Sequence, residues 1–155
     1  FNTVGPRQNG AYGYVLPRLV AQALLGRELT IYGDGTQTRC FCDVEDAVRA
    51  VVGLLDEPKA TGEVFNVGSE EEISIHGLAE RVLEVTGSSS AITCVPYDQA
   101  YGEGYEDIPR RVPDTAKIRN LLGWVPHYDL DGIIKRQIAF ATDVGPQTLL
   151  DTRGR

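Results

Sequence analysis

Methionine is absent from the 155 residues, and the chain opens on the apolar, β-prone run Phe1-Asn2-Thr3-Val4. That combination reads as the middle of a polypeptide, so an N-terminal portion is expected to precede it. Positive charge is also scarce: 15 Lys and Arg stand against 22 Asp and Glu, for a net charge of -7. Nucleic-acid surfaces need clustered cations, so no nucleic-acid partner is expected. No apolar run approaches the roughly 20 residues of a membrane span, which argues against a membrane partner. Cysteine is limited to Cys40, Cys42 and Cys94, an odd set with no second pair or histidine cluster to complete a ligand set. A buried structural role is expected for the first two, and no metal. His76, at a helix start, and His127, in a loop, read as structural or solvated. Reduced thiols without a recognisable signal segment fit a cytoplasmic protein.

What is present is enough for one globular domain: 42% hydrophobic and 24% charged residues over a length in the usual single-domain range. The densest stretch runs from Leu29 to Asp46. Leu29, Ile31 and Tyr32 form a strand pattern, Gly33-Asp34-Gly35 permits positive φ and a tight reversal, and the segment carrying Arg39, Cys40 and Cys42 returns as a second strand. Arg39 on that return offers a planar donor fork suited to phosphate oxygens. Two readings stand side by side: a base-and-phosphate site, or a surface hairpin with a solvated arginine.

Elsewhere the pattern alternates helix and strand, an α/β chain. Val15, Leu16, Leu19, Val20, Ala23 and Leu24 keep helical spacing up to Gly26. Asp43 is a candidate N-cap for a helix from Val44 to Leu55 with a broad apolar stripe, and Ser74 for one closed by Gly87. Glu63 to Val67 and Ile92 to Val95 read as strands, the first of them buried between glycines. Tyr97 to Pro109 has neither period and is the longest irregular stretch. Asp114 is placed to cap a helix ending at Gly123, a last helix begins between Tyr128 and Asp131, and residues 143–155 are expected to be a frayed, disordered tail.

Five blocks taken in order, Phe1-Asn2-Thr-Val-Gly-Pro-Arg7, Leu29 to Arg39, Asp43-Val-Glu-Asp46, Val64-Phe-Asn-Val-Gly68, and Pro113-Asp114-x-x-Lys117 with Leu121-Leu-Gly-Trp124, resemble one known series. The chain resembles the C-terminal part of the extended short-chain dehydrogenase/reductase family, the NAD-dependent nucleotide-sugar epimerases and dehydratases. The resemblance covers residues 1–142. It implies the last strands and helices of a Rossmann-type sheet plus the small α/β substrate-binding domain. NAD and a Tyr-x-x-x-Lys pair belong to the N-terminal half in such proteins. No tyrosine here has a lysine four residues on, so the chain alone is expected to be inactive. Cut from that half, it is expected to expose apolar surface.

The resemblance also implies a substrate site, with a UDP-sugar as the expected ligand. Asn2 matches a residue aimed at the diphosphate, although a strand-end turn residue is the plain alternative. Thr30 and Tyr32 match the strand that contacts the base, Tyr32 reading equally as core. Arg39 matches the diphosphate arginine, and Gly13, Tyr14 and Val15 the helix entrance that closes over the nucleotide. Many members carry a second arginine in an Arg-x-Gly-Asp stretch, which here reads Tyr101-Gly-Glu-Gly-Tyr-Glu-Asp107. Arg111 is the preferred substitute over Arg110, against simple pairing with Glu103, Glu106 or Asp107. The implied parent is a UDP-glucose 4-epimerase-like homodimer, with a dehydratase or UDP-glucuronate decarboxylase as close alternatives. A non-catalytic nucleotide-sugar sensor is the reading from another class.

Overall fold

The computed structural model describes residues 1–8, 14–102, 104 and 107–150. Seven short strands are β1 (Thr3–Val4), β2 (Leu29–Tyr32), β3 (Thr38–Cys40), β4 (Cys42–Asp43), β5 (Glu72–Ser74), β6 (Ile92–Val95) and β7 (Arg110–Arg111). The helices are α1 (Val15–Leu24), α2 (Val44–Leu55), α3 (Ile75–Thr86), α4 (Tyr97–Tyr101), α5 (Ala116–Leu122) and α6 (Leu130–Val144). Among the described residues the strands make three small sheets: β1 with β4 and β2 with β6, both parallel, and β5-β3-β7 with β3 in the middle. The α/β expectation holds.

Local chemistry sets the element ends where the sequence places caps. The Asp43 side chain accepts from the Glu45 amide at 2.8 Å and Ser74 from the Gly77 amide at 3.0 Å, each filling a donor left open at a helix start. Gly87 and Gly123 close α3 and α5 in the left-handed conformation. α1 is the hub of the larger core, with Leu19, Val20 and Ala21 fully buried where it packs on α3 and α6. A smaller core gathers Cys42, Ala50, Ile118 and Trp124, and the Trp124 indole donates to the Asp46 carbonyl.

Several expectations change. Leu29–Tyr32 and Thr38–Cys40 form no hairpin: β2 pairs with β6, whereas β3 joins β5 and β7. The glycine turn, with φ of 74° at Gly33 and 76° at Gly35, hands the chain from one sheet to another. Inside it, Asp34 accepts from the Thr36 amide and hydroxyl, a local turn that needs no strand pairing. Glu63 to Val67, expected as a buried strand, joins no ladder among the described residues: Phe65 and Val67 pack on the smaller core while Val64 is 82% exposed. The stripe of α2 faces outward, with Val48, Val51, Val52 and Leu55 all exposed. Residues 143–150 are not a loose tail: α6 runs to Val144, a 3-10 turn spans Pro146–Leu149, and Leu149 is buried in the main core. The irregular stretch after Val95 begins with α4.

Candidate functional site

A cavity of about 510 Å³ opens where β1, the start of α1, the end of β2, and β3 converge. Two arginines line it, Arg18 and Arg39, and Arg39 is the one that the sequence singles out. β3 is the middle strand of its sheet, so the backbone is fixed on both edges, and the side chain is 11% exposed. Nη1 donates to the Thr38 carbonyl at 2.7 Å and the Ile108 carbonyl at 2.8 Å, and Nη2 to Asp107 at 2.6 Å. Three of the five guanidinium donors are thereby used. Among the described residues nothing takes Nε or the second Nη2 hydrogen.

Asn2, at φ 42°, lines the cavity and donates Nδ2 to the Cys40 carbonyl of β3 at 2.8 Å; among the described residues its second amide hydrogen has no acceptor. Val15 begins α1, whose N-cap Tyr14 supplies no side-chain bond, and the positive end of the helix borders the cavity. Asn2, Tyr14, Val15, Tyr32 and Arg39 thus share one wall set. Thr30 does not line it. Its amide donates to Gln22 Oε1 at 3.1 Å, its hydroxyl accepts from Gln22 Nε2, and its carbonyl accepts from Arg18 Nη2. Gly13 lies outside the described residues.

Arg110 and Arg111 separate cleanly. Register pairs Arg39 with Arg111 and Thr38 with Arg110. Paired residues project to the same face of a sheet, so Arg111 shares the face of Arg39. Arg110 is on the other face, where it forks onto the Glu72 carboxylate at 2.9 and 3.0 Å. Arg111 is exposed and stands outside the cavity lining. Asp107, one of the acids expected to pair with Arg110 or Arg111, pairs with Arg39.

Four lining residues carry no signal that spacing alone would reveal: Arg18, Gln37, Tyr97 and Tyr101. Gly33 explains Tyr97, since a Cβ at Gly33 would lie 2.5 Å from that ring. The close approach sets the Tyr97 hydroxyl 3.2 Å from Asp107. Tyr101 meets Tyr32 edge to face at 5.2 Å between centroids. Together these rings and Asp107 connect Arg39 to an aromatic wall.

The chemistry of this set is anion binding beside flat apolar surface. Among the described residues no group of His, Cys, Asp and Glu could hold a metal. Burial raises the thiol of Cys40 and pushes that of Cys42 up to about 11, which suits packing and not nucleophilic attack. A dinucleotide does not fit the glycine turn either. Gly33 and Gly35 lie against Tyr97 and Ile31, and the turn leads into β3, where a dinucleotide cradle needs an open turn leading into a helix.

The model of the family described as GDP-mannose 4,6 dehydratase matches residues 1–137. The chain belongs to the NAD-dependent epimerases and dehydratases of the extended short-chain dehydrogenase/reductase family. It is 41% identical over 145 residues to a UDP-N-acetyl-alpha-D-glucosaminuronate decarboxylase of Bacillus cytotoxicus, covering 93% of this chain and 45% of that protein. Against UDP-glucuronic acid decarboxylase 3 of Arabidopsis thaliana it is 41% identical over 131 residues, 84% of this chain and 36% of that one. Its fold is similar to the UDP-glucuronic acid 4-epimerase of Bacillus cereus solved with UDP-glucuronic acid and NAD. The TM-score is 0.81 at 28% identity, over 93% of this chain and 44% of that chain. The chain spans less than half the length of these relatives.

Proposed function

We propose that the chain is the substrate-binding part of an NAD-dependent nucleotide-sugar enzyme and grips the diphosphate of a UDP-sugar between Arg39, Asn2 and the start of α1. The observation that carries this is Arg39 itself: a nearly buried guanidinium, clamped by three bonds in the chain, whose two remaining donors border a cavity large enough for a nucleotide. Remote binding energy from such a grip positions a sugar without touching its reacting carbon. Tyr32 lines the base end; Arg111 shares the face of Arg39 but lies outside the cavity lining, so the grip rests on Arg39. NAD and the proton-transferring residues are supplied from outside this chain, and the parent is a homodimer, both by likeness to the family.

For the parent, the relatives at 41% identity favour decarboxylation of a UDP-uronic acid, with UDP-glucose-type epimerisation as the alternative supported by the fold neighbours at 28%. Isothermal titration of the chain with UDP and UDP-glucuronate tests the binding claim. One saturable site for both is expected, and silence with both refutes it.

A further inference from the structure

Asp107 stands 68 residues along the chain from Arg39, yet its carboxylate accepts from Arg39 Nη2 at 2.6 Å. The pair is largely shielded from water, the side chains being 24% and 11% exposed. Both carboxylate oxygens have further partners inside the chain: Oδ1 also accepts from the Ile108 amide at 2.8 Å, and Oδ2 from the Tyr97 hydroxyl at 3.2 Å. Tyr97 is seated in turn against Gly33, where any side chain would meet its ring. The carboxylate is thereby fixed by the fold before any ligand arrives.

Charge alone would keep an acid out of an anion site. A carboxylate on Arg39 offsets the charge that draws a phosphate and repels the phosphate itself. What Asp107 supplies is direction. Nη1 gives its hydrogens to the Thr38 and Ile108 carbonyls, and Nη2 gives one to Asp107. Asp107 and Ile108 are neighbours in the chain, so together they meet the guanidinium along its Nη1–Nη2 edge. The donors without an acceptor among the described residues, Nε and one hydrogen of Nη2, then form the side edge, the parallel pair suited to two oxygens of one phosphate. With Asp107 removed, the guanidinium is held at Nη1 alone and its fork can tilt out of register.

We propose that Asp107 is a positioning residue for the anion site, turning the Arg39 guanidinium so that its Nε–Nη2 edge faces the cavity and takes two oxygens of one phosphate. This rests on the diphosphate reading above and deepens it: the grip is bidentate and set in advance of binding. Asp107 acts through Arg39 and not on the ligand, so its negative charge helps the site to bind an anion.

The test titrates the full chain and its Asp107→Ala and Asp107→Asn variants with UDP and inorganic pyrophosphate, with unfolding midpoints and nitrogen NMR spectra of the arginine side chains taken for each. Asp107→Ala should weaken both ligands at least about fivefold, less than one whole charge-assisted bond is worth. Asp107→Asn keeps an oxygen for Nη2 and should recover part of that loss. Simple charge repulsion gives the opposite sign, tighter binding in both variants, and that result overturns the proposal, as does unchanged binding in Asp107→Ala. Positioning also has a signature that a general loosening of the fold lacks. In the native chain without ligand, rotation about the Arg39 Cζ–Nη2 bond should be hindered and its two hydrogens give separate signals. In Asp107→Ala these should merge while those of Arg81, held by Asp131, do not change. Signals already merged in the native chain overturn the proposal. If Asp107→Ala fails to fold, Asp107→Asn decides alone, and unchanged or tighter binding there overturns it. If the native chain binds neither UDP nor pyrophosphate, the diphosphate reading itself falls and takes this one with it; if native and variant chains bind both ligands alike, this one falls alone.

Discussion

Replacing Arg39 by methionine keeps the length and much of the apolar stem while deleting every donor of the guanidinium. Three of those donors hold the Thr38 and Ile108 carbonyls and Asp107, so two are left for phosphate oxygens. Charge-assisted bonds at about 1.5 kcal/mol each, the low end of their range, give about 3 kcal/mol. At about 1.4 kcal/mol per decade the Kd for UDP should rise somewhat over a hundredfold. Arg39→Lys, which keeps the charge and loses the fork, should fall between. Calorimetric titration reads both, and an unfolding curve for each variant separates lost binding from lost fold. The variants also free Asp107 and the Ile108 carbonyl, so a modest drop in stability is expected alongside. An Arg39→Met protein that folds and binds UDP within about threefold of the native chain would refute the reasoning, because so small a change cannot hold two charge-assisted bonds.

The cysteines give a second check. Cys94 is exposed whereas Cys40 and Cys42 are buried, with the Cys42 thiol raised to about 11, so brief alkylation of the native chain at neutral pH should label Cys94 first by mass spectrometry. Gly35→Ala should destabilise the chain by about 2 kcal/mol or more in urea unfolding, from a side chain in the left-handed region and a Cβ only 2.6 Å from Ile31 Cδ1. The Thr115 hydroxyl and amide, then Arg119, hold the Glu70 carboxyl down to about 2 against an ordinary 4.5. Its folded pKa is depressed, so its contribution is complete above the ordinary value and is lost as pH falls from there through about 2. Thr115→Ala should lift the Glu70 midpoint in a carbon NMR titration, and an unmoved midpoint would discard that assignment. Leu149→Ala, in the segment expected to be loose, should cost about 2–5 kcal/mol because the side chain is 2% exposed.

Helices were the legible part of the sequence, because their caps are local. Asp43 and Ser74 bond amides two or three residues away, so spacing alone locates them. Strand partners were not legible, since Tyr32 is linked to Val95 and Arg39 to Ile73 and Arg111 across long stretches of chain. A glycine turn between two β-prone runs looks the same whether it closes a hairpin or passes the chain between sheets. What covers the apolar stripe of α2 was not legible for a similar reason: periodicity finds an apolar face without saying what packs on it. At the candidate site, Asn2, Tyr32 and Arg39 were singled out by motif blocks and Val15 by its place at a helix entrance, and the four line one cavity. Arg18 was not, because an arginine inside an amphipathic helix looks solvated until its neighbours bury it.

A crystal structure of the chain with UDP-glucuronate tests the central claim most directly. The account predicts the pyrophosphate within hydrogen-bond reach of Arg39 Nε and Nη2 and of Asn2, at the start of α1. A nucleotide bound elsewhere, with that cavity empty and Arg39 bonded only to Thr38, Asp107 and Ile108, would contradict it.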